Sequence, residues 1–152
     1  MKKKHNTTNK DTTNSNDNLD NYLEELDLTL ANLEKIGAIF LSLGYYTISI
    51  GANLDALEIL KINNTGESPE KTFFYGQSLT VIGYILLWIV SINRINVNIL
   101  KNQYTDAHIN LSPYRKLSSA YSLSVFANLI RLDAFAELYY ASLNENSTPD
   151  NS

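Results

Sequence analysis

Residues 23–54 read LEELDLTLANLEKIGAIFLSLGYYTISIGANL, and every seventh position along this stretch holds leucine or glycine. The positions are Leu23, Leu30, Gly37, Gly44 and Gly51. A second series follows three residues behind the first and consists of Leu26, Leu33, Phe40, Thr47 and Leu54. Together the two series form an unbroken a/d heptad register, which predicts one long α-helix with a packing seam along one side.

The seam belongs to a first predicted helix over residues 18–62, and a second helix is predicted over residues 70–104. Asn18 or Asp17 can cap the first helix, and the acidic side chains of its first turns suit the positive end of the helix dipole. The turn at residues 63–70, NNTGESPE, contains Asn, Gly and Pro. The second helix has its own heptad series: Gly76, Gly83, Val90, Val97 and Tyr104. Two long helices joined by a turn form an antiparallel hairpin, and counting outward from the turn places Gly51 near Gly83.

A third helix is predicted over residues 114–143, after a break at residues 107–113 in which Pro113 can open the helix. Alanine recurs in it at every seventh position: Ala120, Ala127, Ala134 and Ala141. The residues that we predict to form helix-packing seams are Gly37, Gly44, Gly51, Gly76, Gly83, Ala120, Ala127 and Ala134. Residues 1–17 and 144–152 contain too few apolar side chains to offset the entropy of ordering, and they are predicted to be disordered. The expected fold is therefore all-α: an antiparallel helical hairpin plus a third packed helix, with a disordered N-terminal tail.

Two windows without charge favour membrane-spanning helices. Residues 36–54 would span roughly 28 Å as a helix and residues 72–93 roughly 33 Å, against a bilayer core of about 30 Å. The second window is apolar nearly all round, whereas each helix of a small soluble bundle keeps one face in water. Tyr75 and Trp88, near its two ends, suit membrane interfaces. In lipid, small residues let helix backbones approach closely, which explains why leucine gives way to glycine where charge disappears.

The uncharged part of the third helix, residues 117–130, would span only about 21 Å and is too short to cross. An interfacial helix, a re-entrant segment and a helix packed on the cytosolic extensions of the other two are the alternatives. The last is favoured because a membrane-surface helix usually carries Lys and Arg on its polar face, and this one does not. Lys35, Arg94 and Lys101 flank the two windows on the side of the termini, which predicts a cell-membrane protein with both termini in the cytoplasm.

The sequence contains no arrangement typical of a catalytic, cofactor or metal site. The chain has no Cys, which excludes thiolate catalysis and cysteine-ligated metals. His5 and His108 have no metal-ligating partner at helical spacing, and no nucleophile elbow, phosphate loop or nucleotide fingerprint is present. Arg131 and Asp133 would form a functional polar site only if the third helix entered the membrane. The net charge of -4 argues against a nucleic-acid partner. We therefore expect no enzyme and no cofactor.

The sequence favours a small, non-enzymatic integral membrane protein. It would act within the lipid bilayer through helix packing, as a homo-oligomer or by binding a membrane protein partner. The 19 asparagines, with abundant Ile, Lys and Tyr, are typical of AT-rich genomes and suggest a low-GC bacterium. Two alternatives stay open: a soluble all-α coiled-coil interaction module, and a holin-like pore-forming protein, which shares the short length, few membrane helices and charged ends.

Overall fold

The computed structural model of the protein describes residues 10–105 and 107–145, and three helices account for most of them. Helix α1 spans Lys10–Ile59, α2 spans Pro69–Tyr104 and α3 spans Ser112–Glu145. The described part of the chain contains no strand. The predicted all-α fold, with two long antiparallel helices and a third packed helix, is confirmed.

Helix α1 begins earlier than predicted. Residues 10–17, which were expected to be disordered, form roughly its first two turns. Asn, Thr, Ser and Asp nucleate helices poorly, but extending an existing helix adds one hydrogen bond for each residue fixed. The leucine-lined helix that follows can therefore support these turns. Residues 144–145, which were also expected to be disordered, form the end of α3. The predictions for residues 1–9 and 146–152 lie outside the described residues.

The connection between α1 and α2 folds back beside the end of α1. Lys61 adopts a left-handed conformation, with φ 59°, which is common just after a helix ends. Asn63 then ties the connection to the last turns of α1, because its side-chain Nδ2 donates to Glu58 Oε1 at 3.2 Å and to the Glu67 carbonyl at 3.1 Å. Helix α2 begins immediately afterwards with Pro69, whose fixed φ suits the first turn of a helix.

This connection sets the register of the hairpin. Gly37 faces Gly83, and Gly44 faces Gly76. The predicted pairing of Gly51 with Gly83 is therefore wrong, although the antiparallel direction is right. The register differs because the last turns of α1 extend beyond the first residue of α2. Counting equal numbers of residues outward from the turn therefore pairs the wrong positions of the two helices.

Helix α2 lies between the other two helices and contacts both. Near its start, the ring of Phe73 stacks on Phe135 of α3 with centroids 5.2 Å apart, and Phe74 stacks on Tyr139 at 5.8 Å. No α-carbon of α1 lies within 8 Å of an α-carbon of α3 in the described residues. Helix α3 thus runs antiparallel to α2 along its uncharged segment, residues 72–93. The third helix therefore packs on residues 72–93 of α2 and not, as expected, on the extensions of α1 and α2 beyond the uncharged windows.

Candidate helix-packing site

The contact between α1 and α2 brings two backbones together at what we call the glycine end, which consists of Gly37, Gly44, Gly76 and Gly83. All four are buried. A Cβ placed at Gly44 would lie 2.8 Å from the Gly76 carbonyl oxygen and 2.8 Å from the Thr80 amide nitrogen. A Cβ at Gly83 would lie 2.9 Å from the Gly37 carbonyl oxygen. Because these neighbours are backbone atoms, a side chain at Gly44 or Gly83 would push the helices apart. At Gly37 the contact is looser, since a Cβ would lie 3.1 Å from the Leu87 side chain and 3.2 Å from the Gly83 carbonyl oxygen.

The fifth predicted seam glycine on the hairpin has a different neighbour. Gly51 is buried, and a Cβ placed there would lie 2.9 Å from the ring of Phe73. A side chain can move aside more easily than a backbone. Gly51 therefore lies in the contact between α1 and α2 without requiring the same close approach of the two backbones.

Farther from the connection, the same register holds large side chains at what we call the leucine end. It consists of Leu23 and Leu30 on α1 with Val90 and Val97 on α2, and these four form the buried apolar cluster. Each of them is at most 5% exposed. Fully burying a side chain of this kind contributes roughly 1.5–3 kcal/mol, so this end is held by apolar burial.

Two ion pairs link α1 and α2 beside the leucine end. Arg94 Nη2 lies 2.5 Å from Glu34 Oε2, and Lys101 Nζ lies 2.5 Å from Asp27 Oδ2. All four side chains are partly exposed, and exposed ion pairs contribute only about 0–1 kcal/mol. Their main consequence is that each charge is neutralised by an opposite charge where the two helices meet, as Glu34 is by Arg94.

The alanine series of α3 does not face α2. Ala120, Ala127 and Ala134 are exposed, so the prediction that they form the packing seam of this helix is wrong for the contact with α2. The side turned toward α2 is partly or fully buried and holds Tyr121, Val125, Asn128, Leu132, Phe135 and Tyr139. This side packs against α2 because it carries the partners of three α2 side chains. Phe135 and Tyr139 stack on Phe73 and Phe74, and Asn128 binds the amide of Gln77.

The amide contact is a buried pair formed by Gln77 of α2 and Asn128 of α3. Gln77 is 0% exposed, and its Nε2 donates to the Asn128 carbonyl at 3.1 Å and to Asn128 Oδ1 at 2.9 Å. Asn128 Nδ2 donates to the Ser124 carbonyl at 2.8 Å. Because a buried polar group that loses its partner is costly, sliding α3 along α2 would be penalised. Neither side chain stands out in the sequence, since no spacing rule connects two amides on different helices.

Polar side chains also lie at two other places where the helices meet. The hydroxyls of Tyr45 and Tyr84 are 3.1 Å apart and join α1 to α2. A cavity of about 40 Å³ lies where the three helices meet, and Glu34 lines it together with Leu87 and Val90. An acidic side chain of α1 therefore lies at the boundary of the uncharged segment of α2.

The residues considered for chemistry do not form a site in the described part of the chain. Residues 10–105 and 107–145 hold no group of three or more His, Asp or Glu that could bind a metal ion. His108 is exposed in the connection between α2 and α3, and His5 lies outside the described residues. Arg131 and Asp133 are both exposed on α3, so these two side chains do not build an enclosed polar site.

Two helical segments, Asn21–Ile59 and Pro69–Tyr104, are long and apolar enough to cross a membrane. Of the most apolar window, 17% is buried in the first segment and 39% in the second. Along residues 72–93 of α2, the exposed side chains are Tyr75, Ile82, Ile89 and Ile92. No protein-family model, curated protein or solved structure matches this chain.

Proposed function

We propose that the chain is a small, non-enzymatic integral membrane protein that acts through helix packing, with copies of itself or with a membrane protein partner. The observation that carries this proposal is the apolar surface that the hairpin leaves uncovered. Its large exposed side chains include Ile36, Ile39, Leu43, Tyr46, Ile50, Ile82, Ile89 and Ile92. An apolar surface of this extent is typical of helices that contact lipid or a partner.

The glycine end supports the same proposal. Helices in lipid cannot associate by escaping water, so they depend on close packing between small residues. Gly44 and Gly76 provide such a contact within the segments that carry no charge. The switch from leucine to glycine along one register is what a helix entering a bilayer would need.

The position of α3 changes the proposed topology. Basic side chains, among them Lys35 and Arg94, lie at the end of the bundle where α3 begins, and this end would face the cytoplasm. Since α3 runs along the uncharged segment of α2, we propose that it is also embedded in the membrane. Because its uncharged part alone spans only about 21 Å, the exposed side chains of Arg131, Asp133 and Glu137 would extend to the headgroups on the opposite side. Its last described residue, Glu145, would then lie on the opposite side. This proposal replaces the expectation that both termini are cytoplasmic.

A second candidate is the soluble coiled-coil interaction module, and the position of Glu34 favours it. Glu34 lines the cavity beside Leu87 at the boundary of the uncharged segment, and an ionisable side chain this close to the hydrocarbon is costly unless it is paired. Its ion pair with Arg94 reduces that cost, but a soluble protein would not incur it. In this alternative, a partner would cover the exposed apolar faces of the hairpin.

Carbonate extraction separates the two candidates. The full chain, expressed with a tag in a bacterial host, is expected to remain in the membrane pellet after extraction with alkaline sodium carbonate. Detergent is then expected to release it. Recovery in the soluble fraction without detergent would contradict the membrane proposal and leave the soluble module.

The topology can be tested by labelling, since the chain contains no Cys that would compete with an introduced one. Asn64, His108 and Asn144 are exposed and lie in the first connection, in the second connection and at the end of α3. With a membrane-impermeant maleimide on intact cells, Asn64→Cys and Asn144→Cys are expected to react. His108→Cys should react only after permeabilisation. Protection of Asn144→Cys together with His108→Cys would instead place both ends of α3 in the cytoplasm.

A further inference from the structure

An open groove of about 840 Å³ lies where the connection between α2 and α3 meets the start of α3. Arg115 and Lys116 line one part of it, and Ile109, Leu111 and Leu123 line another. The groove therefore combines two cations with an apolar wall, which is the pattern that an amphipathic ligand requires. This combination occurs at the end of the bundle that carries most of the flanking basic residues.

The two cations have no acidic partner within the described residues. At the same end of the bundle, Arg94 and Lys101 are engaged in ion pairs across the hairpin. Neither Arg115 nor Lys116 takes part in the ion pairs of residues 10–105 and 107–145. Both are exposed, so their charge is accessible to an anion from outside.

The groove lies at the level where the uncharged segment of α2 ends. Tyr114 and Leu117, from the first turns of α3, line the small cavity together with Ser91 and Arg94 of α2. Residues 72–93 form the uncharged segment, so the start of α3 is placed at its boundary. In the proposed membrane orientation, this is the depth of the lipid headgroups on the cytoplasmic side.

The groove continues onto the outer face of α3, which we define as Ala120, Leu123, Ala127, Ile130 and Ala134. All five residues are exposed. Alanine alternates with a larger apolar side chain along this face, which makes a shallow strip without charge. An extended acyl chain could lie along it while the headgroup stays in the groove.

We propose that this groove binds an anionic phospholipid, with Arg115 and Lys116 contacting the phosphate and one acyl chain lying along the outer face of α3. Basic pockets beside membrane helices on the cytoplasmic side are known to attract anionic headgroups. The inference rests on the proposed membrane location, and it adds the class of ligand and the residues that recognise it.

The test compares binding of dioleoyl phosphatidylglycerol to the detergent-solubilised full chain with that of Arg115→Gln/Lys116→Gln, measured by native mass spectrometry. Each basic side chain near an anionic surface accounts for roughly fivefold in affinity. The double variant is therefore expected to bind the lipid roughly 25-fold more weakly. Lys35→Gln is the matched control, because it removes an exposed cation at the same end of the bundle but outside the groove.

Three further measurements decide the result. Arg115→Lys/Lys116→Arg should retain binding, and dioleoyl phosphatidylcholine, which has no net charge, should bind the natural sequence weakly. Glycerol 3-phosphate, a free phosphate without acyl chains, should compete poorly. Equal binding of the two lipids, an equal loss in Lys35→Gln, or full competition by glycerol 3-phosphate would overturn the proposal.

Filling the acyl strip distinguishes lipid binding from self-association. Ala127→Phe is expected to weaken phosphatidylglycerol binding while the oligomeric state, read from the same mass spectra, stays unchanged. A changed oligomeric state with intact lipid binding would show that the outer face contacts a second copy, and it would overturn the lipid assignment. Carbonate extraction of each variant separates a failure of the groove from a failure of membrane insertion.

Discussion

The leucine end and the glycine end of the hairpin lie on the same faces of the same two helices, yet they hold the helices together in different ways. At the leucine end, Leu30 and Val90 fill the space between the backbones and are almost fully buried. At the glycine end, Gly44 and Gly76 leave no space to fill, and each backbone contacts the other directly. One seven-residue period thus accommodates both apolar burial and backbone contact.

The position of the change is informative. Glu34 and Lys35 are the last charged residues of α1 before the uncharged window, and the glycine end begins two residues later, at Gly37. Burial of leucine stabilises a contact only where the alternative is water. Close packing stabilises it in either medium, because it depends on van der Waals contact. The comparison therefore predicts that the two ends respond differently to substitution and to solvent.

The largest effect is expected from Leu30→Ala. Leu30 is 5% exposed, and truncating a buried leucine typically costs about 2–5 kcal/mol through lost burial and the cavity left behind. The measurement is the free energy of unfolding in detergent, obtained by titrating with sodium dodecyl sulfate and following helicity by circular dichroism. Leu28→Ala is the matched control, since Leu28 is 65% exposed and its truncation should change stability by less than about 0.5 kcal/mol. Equal effects at the two positions would mean that the leucine end is not held by burial.

Gly44→Ala tests the other end of the comparison, with Gly51→Ala as its control. Both substitutions bring the same gain in helix propensity, about 1 kcal/mol. The new methyl group at position 44 meets the backbone of α2, whereas at position 51 it meets the ring of Phe73. In the same unfolding assay, Gly44→Ala is expected to be less stable than Gly51→Ala by about 1–3 kcal/mol, the usual cost of overpacking. If the two variants were equally stable, the backbone contact would not be needed.

The heptad series is the part of this fold that the sequence specifies best. Its period defines the helices, and the turn residues bound α2 closely, from Pro69 to Tyr104. The register of the hairpin, by contrast, could not be predicted from the heptad series. Nothing in residues 63–70 indicates that Asn63 folds the connection back against the end of α1, and this fold decides which glycine faces which.

The orientation of α3 shows a second limit of sequence reasoning. Both sides of this helix carry apolar residues, so periodicity alone cannot distinguish the side that packs from the side that is exposed. The alanine series has the regular spacing of a seam, but the contact with α2 uses the adjacent face, where Asn128 and Phe135 lie. The deciding partners, Gln77 and Phe73, are on another helix and more than 50 residues away in the chain.

The smallest of these effects is expected from the amide pair, which lies next to the glycine end and links α2 to α3. Asn128→Leu removes the Oδ1 acceptor of the buried Gln77 amide and leaves only the hydrogen bond from Gln77 Nε2 to the carbonyl of residue 128. The loss of one hydrogen bond by a buried donor costs about 1–2 kcal/mol. Gln77→Leu combined with Asn128→Leu removes both polar groups, so part of this loss should be recovered. A double-mutant cycle on the free energy of unfolding in detergent measures the coupling, which averages about 0.6 kcal/mol in membrane bundles. Strict additivity of the two substitutions would show that the amides do not fix α3 on α2. In that case α3 would be held on α2 by other contacts, such as the stacked rings of Phe73 and Phe135.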